Sequence, residues 1–495
     1  MRQCHKERGA TPDMAFITFG FYLFLAVLVA VYYLLPLQLR WYALLAGSLG
    51  FYWYVNQYSA ARFGMMLGTA LLCWLAGLGL EHLQKGRRAL LAVSVAAAAA
   101  PLLLIKELPF FAARAADPSA FEWLVIPMGI SFYTMQLIAY LVDIYRGTTK
   151  FEANPLRFLL FVSFFPQIIQ GPIPRHKQLA PQLYAGHRFD ERSFTKGFLL
   201  ILWGFFLKLC IADKAGIFVD TVFDTFPTYT GTYVLLAGIL YSFQLYADFL
   251  ACTSFAQGIA GLFSIEIADN FLHPYFSTSV KDFWRRWHIS LSTWLRDYIY
   301  IPLGGNRRGR LRKYLNLLIT FAVSGVWHGA GYKFIFWGLL HGVYQIVGEC
   351  TLPLRRMLSQ KAQLDRHPNC KALGQRLITF FFVMLAWILF RAEHLRTGLA
   401  MIRSIFTVHN PWILTNDAVF ALGLNWKEFA VLAVSLGILY TVSRLQEKGV
   451  ALRDRILSWS LPLRWCVYIG AILFVLIFGT YGFGYDAQAF IYGGF

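Results

Sequence analysis

Two histidines and the residues around them carry the chemistry legible in this chain. His288 stands in Lys281-Asp-Phe-Trp-Arg-Arg-Trp-His288-Ile-Ser-Leu-Ser-Thr-Trp-Leu-Arg-Asp-Tyr-Ile-Tyr-Ile-Pro-Leu-Gly-Gly305, and His328 in Ser324-Gly-Val-Trp-His328-Gly-Ala-Gly331. Imidazole is the side chain whose unperturbed titration lies closest to neutral pH, which suits it to take or give a proton at a functional site. His328 is the first candidate for such a site, and His288 the second. The competing readings are structural: a histidine that only bonds a neighbouring helix at 328, and an interfacial one between tryptophans at 288. There is no G-x-S-x-G elbow, P-loop or H-E-x-x-H pattern to supply another nucleophile. The steps from 288 to 328 and from 328 to 341 match no familiar ligand spacing, so no metal is expected.

These residues need elements to hold them. Wound at helical period, the first stretch places Trp284, Trp287, His288, Leu291, Trp294, Leu295 and Tyr298 on one side. Arg285, Arg286, Ser290, Thr293, Arg296 and Asp297 fall mostly opposite. The spacing predicts an amphipathic helix lying along a membrane face, aromatic rings at headgroup depth and cations toward water or phosphate. The second stretch differs: Tyr314 to Tyr332 contains no Lys, Arg, Asp or Glu, enough residues to cross a hydrocarbon core. His328 is therefore expected inside or at the edge of a spanning helix, where an ionisable group is costly and marks function. Gly325 and Gly329 have the spacing that lets helices pack closely, and with Ala330 and Gly331 they are expected to leave room beside the imidazole.

Composition points the same way. Of 495 residues, 58% are hydrophobic and 14% charged, more apolar surface than a soluble core of this length needs. The net charge of +19 comes from short clusters between apolar runs, which read as loops and contacts with membrane lipid headgroups rather than as a nucleic-acid surface. Seven cysteines include no C-x-x-C pair and read as packing residues.

In chain order, residues 1–13 form a polar extension, and Met14–Leu35 reads as an uncleaved first span, Met14 being an alternative start. Residues 14–495 are taken as one integral-membrane domain. Further apolar runs fall at 41–56, 61–80, 89–105, 123–145, 196–211, 231–262, 314–332, 334–348, 376–391, 428–443 and 465–484. The fold expected is an all-α polytopic membrane protein of roughly ten to twelve spans. Pro127-Met-Gly-Ile-Ser-Phe-Tyr133 and Phe164-Phe-Pro-Gln-Ile-Ile-Gln-Gly-Pro-Ile-Pro-Arg175 cannot continue regular helices and predict re-entrant segments. The 231–262 run carries Gln244 and Asp248 inside it. A transporter reading would join these to His328 in a proton relay. A scaffold role in a polysaccharide secretion complex is the third reading.

The two histidine stretches, with Ile301-Pro-Leu-Gly-Gly-Asn306, Pro127 to Tyr133, Phe164-Phe-Pro-Gln167, Gly171-Pro-Ile173, Asn270-Phe271, Pro274-Tyr275, Phe390-Arg-Ala392 and Phe490-Ile-Tyr492, resemble the membrane-bound O-acyltransferase family, in its bacterial alginate O-acetylation branch. The D-alanyl branch shares Phe-Trp-x-Arg-Trp-His but as a rule lacks the continuation at 302–306. The chain departs from the acetyl branch at Asp248-Phe-Leu-Ala-Cys-Thr-Ser254, which keeps the first acid of that motif and loses the second. The resemblance implies a helical bundle around a central tunnel, with interfacial and re-entrant helices, in a bacterial inner membrane. It also implies acetyl-CoA as donor and transfer toward an extracytoplasmic polysaccharide with a hydrolase-like acetyltransferase partner. On that resemblance His328 is assigned as the general base that takes a hydroxyl's proton during acyl transfer, with direct acylation of its ring as a variant. His288 is the second catalytic candidate, either orienting the acyl donor or donating to its carbonyl as negative charge develops. Arg285, Arg286, Trp287, Arg296 and Trp327 are the candidates to hold the coenzyme, since Arg forks match phosphate; Arg307, Arg308 and Arg310 could join them.

Overall fold

In the computed structural model the described residues are 16–112, 127–481 and 490. The polar extension at 1–13, the first residues of the runs beginning at 14 and 123, and most of Phe490-Ile-Tyr492 lie outside them. The described chain is helical and contains no strand. Seven of its helices are long and apolar enough to cross a membrane: Ala60–His82, Arg87–Lys106, Glu191–Asp224, Thr232–Gly261, Pro368–Arg391, Trp426–Glu447 and Leu461–Phe478. Phe19–Leu34 and Ile130–Tyr145 are shorter apolar helices. The runs expected at 41–56, 314–332 and 334–348 form Arg40–Val55, Gly309–His328 and Tyr332–Cys350, outside those seven.

The described residues separate into two compact units: 16–112, 127–204, 252–268 and 490 in one, and 205–251 with 269–481 in the other. In the first unit, Gly129 at φ +77° opens the helix Ile130–Tyr145, and a Cβ there would lie 2.4 Å from the Ile168 carbonyl oxygen. That close approach requires glycine on two counts, conformation and space. The helix Pro155–Ser163 stops at Phe164, a four-residue turn follows, and regular winding resumes only at His176. The prolines and glycine thus interrupt the helix where expected. The segment Phe164–Ile168 is buried throughout, and Gln167 donates to Gln136, which in turn donates to the Phe161 carbonyl. A glutamine chain of this kind satisfies backbone that has left the helix inside an apolar surround.

The second unit contains both candidate histidines. Its organising piece is the hairpin of Gly309–His328 and Tyr332–Cys350. A Cβ on Gly338 would sit 2.1 Å from the Phe321 carbonyl oxygen, and one on Gly325 would sit 2.3 Å from that of Phe334. The two backbones therefore touch, and only glycine at both positions permits it.

Candidate active site

The stretch 281–298 is not one helix. Val280–Arg286 ends at Trp287, His288 takes a left-handed conformation at φ +44°, and Ile289–Leu295 starts afresh. The cause lies in Asn270: its side-chain oxygen accepts from the Ser290 N–H at 3.0 Å and its backbone carbonyl from the Ile289 N–H at 3.0 Å. Two N–H groups that open the second helix are thereby satisfied from elsewhere in the chain, which offsets a left-handed residue costing about 1–3 kcal/mol. The expected apolar face survives the break, with Trp284, Trp287, His288, Leu291, Trp294 and Leu295 buried. Ser290 departs from expectation: it is buried and donates its hydroxyl to Asn270 at 2.8 Å, because the reset at His288 turns it inward.

Hydrogen-bond chemistry fixes the histidine tautomers. The Asn270 oxygen takes a backbone N–H, so it is oxygen and an acceptor, and the His288 Nδ1 lying 3.2 Å from it must carry the proton. His328 is the last residue of Gly309–His328, and its Nδ1 is 2.7 Å from the Ser324 carbonyl oxygen, again an acceptor only. As neutral rings, both histidines therefore present Nε2 as the unprotonated nitrogen. For His328 that is the form a general base requires. For His288 it favours orienting a donor group over donating to a carbonyl.

His328 is 1% exposed. Its ring meets Trp327 at 4.9 Å, Trp337 at 4.8 Å and Phe390 at 5.8 Å between centroids. Trp327 also faces the His288 ring at 5.9 Å, so one indole stands between the two histidines. The space that glycine leaves at 329 is taken by the Phe334 ring, 2.4 Å from where a Cβ would be. The glycines thus serve aromatic packing and helix contact. A third histidine, His341, belongs to the same cluster, with Trp337 at 5.0 Å between ring centroids. No spacing in the sequence marks His341; its only cue was a histidine within an apolar run.

The coenzyme candidates separate into two kinds. Arg285 and Arg296 are exposed, as are Arg307, Arg308 and Arg310. Arg286 is committed to Glu447, both of whose carboxylate oxygens lie 2.9 Å from one guanidinium nitrogen, and to Asp282 at 3.3 Å. Trp287 is fully buried among Phe271, Phe283 and Trp387. Trp327 is buried, with its ring against those of His288 and His328. Sequence reasoning also passed over Lys208, buried in a π-helical stretch Phe206–Ala212 within the span Glu191–Asp224. Its ammonium lies 2.9 Å from Asp213 and 2.9 Å from Asp248. Asp248, which the transporter reading joined to His328 and Gln244, is thus an ion-pair partner of Lys208.

Residues 152–392 match the sequence model for MBOAT, the membrane-bound O-acyltransferase family, a stretch holding all three clustered histidines. Over this segment the chain is similar to that family, and with its apolar helices it is a multi-pass membrane protein. Among curated relatives it is 38% identical over 292 residues to a probable alginate O-acetylase of Pseudomonas putida, covering 59% of this chain and 57% of that one. It is 38% identical over 308 residues to a peptidoglycan O-acetyltransferase of Helicobacter pylori, covering 57% of each. To a teichoic acid D-alanyltransferase of Streptococcus thermophilus it is 29% identical over 315 residues, covering 59% of this chain and 72% of that one. The chain spans little more than half the length of the first two relatives.

Proposed function

We propose that this protein is a membrane O-acyltransferase that takes an acetyl group from cytoplasmic acetyl-CoA and passes it across a bacterial inner membrane toward an extracytoplasmic polysaccharide. The observation that carries the reading is the His328 tautomer: its Nδ1 proton is held on the Ser324 carbonyl, leaving Nε2 as a base within a water-poor aromatic surround. The match to the family model and the relatives named for acetylating alginate and peptidoglycan support the reaction class. In the step, an acceptor hydroxyl gives its proton to His328 Nε2 as its oxygen bonds to the thioester carbonyl carbon. The C–S bond then breaks, and the departing thiolate takes the proton back. The rings of Trp327, Trp337 and Phe390 enclose the imidazole, and this reading requires a thin thioester arm to enter between them. A helical bundle with a central tunnel and re-entrant turns at 127–133 and 164–175 belongs to this reading. So do the exposed Arg285, Arg296, Arg307, Arg308 and Arg310 as contacts for the coenzyme's phosphates. Delivery to the polymer then falls to a separate hydrolase-like partner.

The test is turnover. Purified full-length protein should consume acetyl-CoA in the presence of acceptor or partner, and His328→Ala should lower the rate by about 10²–10⁴, the usual range for a general base, without loss of fold. Acetylation at the normal rate by that variant removes the assignment.

A further inference from the structure

The step above uses His328 and places His288 beside it, but leaves His341 without a task. His341 is fully buried, and the indole nitrogen of Trp284 lies 3.2 Å from its Nδ1. An indole N–H can only donate. The Nδ1 of His341 is therefore the acceptor, and the proton of the neutral ring sits on Nε2. That is the opposite tautomer from His288 and His328, and it makes His341 the one of the three whose Nε2 carries the proton.

This donor has no acceptor among the described residues: Nε2 of His341 is buried and unpaired there, and so are the indole nitrogens of Trp337 and Trp387. The three rings are neighbours, with centroids 5.0 Å apart for Trp337 and His341, 5.8 Å for the two tryptophans and 6.1 Å for His341 and Trp387. Trp337 in turn lies against the His328 ring at 4.8 Å. All three side chains have no exposed surface. Each such N–H left unpaired costs about 1–3 kcal/mol, and a cluster of them beside the proposed base suits a group that arrives with an oxygen to receive them.

We propose that His341 donates its Nε2 proton in a hydrogen bond to the acyl carbonyl oxygen of the substrate, with Trp284 locking the tautomer and Trp337 as a second donor. The proposal rests on the acyl-transfer reading. As the acceptor oxygen bonds to the carbonyl carbon, the carbonyl π pair moves onto oxygen, and that charge is met by the Nε2–H. When the C–S bond breaks the pair returns to reform the carbonyl. His341 keeps its proton throughout, so it stabilises the intermediate and takes no part in proton transfer. The chemical class it recognises is an acyl carbonyl, whichever carrier brings it.

The experiment compares full-length wild type, His341→Ala, His341→Gln and Trp284→Phe in detergent, following acetyl transfer from acetyl-CoA to a polysaccharide acceptor with the partner enzyme supplied, and thermal unfolding of each. His341→Ala should lower kcat by about 10²–10³ with KM for acetyl-CoA little changed, the size of losing one oxyanion donor. His341→Gln, which keeps an N–H near the Nε2 position, should recover at least tenfold of that loss. Trp284→Phe should lower kcat several-fold, since the ring proton is then shared between both nitrogens. A kcat for His341→Ala within twofold of wild type overturns the proposal, as does a folded His341→Gln no faster than His341→Ala, or a loss confined to KM. Failure of the acyl-transfer reading shows differently: His328→Ala would then transfer acetyl at the wild-type rate.

Discussion

At Asn270 one side-chain oxygen receives the Ser290 N–H, the Ser290 hydroxyl and the Nδ1 proton of His288. Removing it orphans three buried donors at once. We expect Asn270→Ala to lower stability by about 3 kcal/mol, read as a fall in the thermal midpoint in detergent, and to cut turnover as His288 loses its fixed ring. A midpoint unchanged from wild type would show that these bonds do not hold the break at His288. The candidate histidines at 288 and 328 were legible from residue type, apolar context and the family resemblance together. Asn270 and Trp284 were not, because each acts on a partner brought near only by tertiary folding: Asn270 is 18 positions from His288, and Trp284 is 57 from His341.

The hairpin of Gly309–His328 and Tyr332–Cys350 sets where His328 lies. Because the Gly338 Cβ position is 2.1 Å from a backbone oxygen that no rotamer change can move, Gly338→Ala should destabilise by about 1–3 kcal/mol and reduce activity by shifting His328. Gly348→Ala, with nothing within 4 Å of its Cβ position, should leave both unchanged. Equal melting points for the two variants would count against the close crossing. Lys208 gives a second forecast at this scale. Lys208→Met leaves Asp213 and Asp248 buried without their counter-ion and should cost about 3–5 kcal/mol, partly recovered by adding Asp248→Asn. The absence of any stability change in Lys208→Met would contradict the ion-pair account. The apolar face of 284–295 was legible because its period is local. The break at His288 was not, since a left-handed non-glycine residue leaves no mark in hydropathy. Lys208 was hidden because one cation in an apolar run reads as tolerable until its two carboxylates are placed.

Across the whole molecule, the exposed surfaces of helices such as Leu461–Phe478, 11% buried over its apolar window, are those of a chain whose solvent is hydrocarbon. Composition made that legible. The number of crossings was harder to read, since helices of 16 residues such as Phe19–Leu34 and Arg40–Val55 are apolar without being long enough alone to span. The most direct measurement of the central claim uses proteoliposomes with radiolabelled acetyl-CoA supplied on one face and acceptor, with its partner enzyme, on the other. The account predicts labelled acceptor on the far side with wild type, and background label with His328→Ala of equal folded amount. Equal labelling by the two proteins, or label only on acceptor sharing the side of the acetyl-CoA, would contradict it.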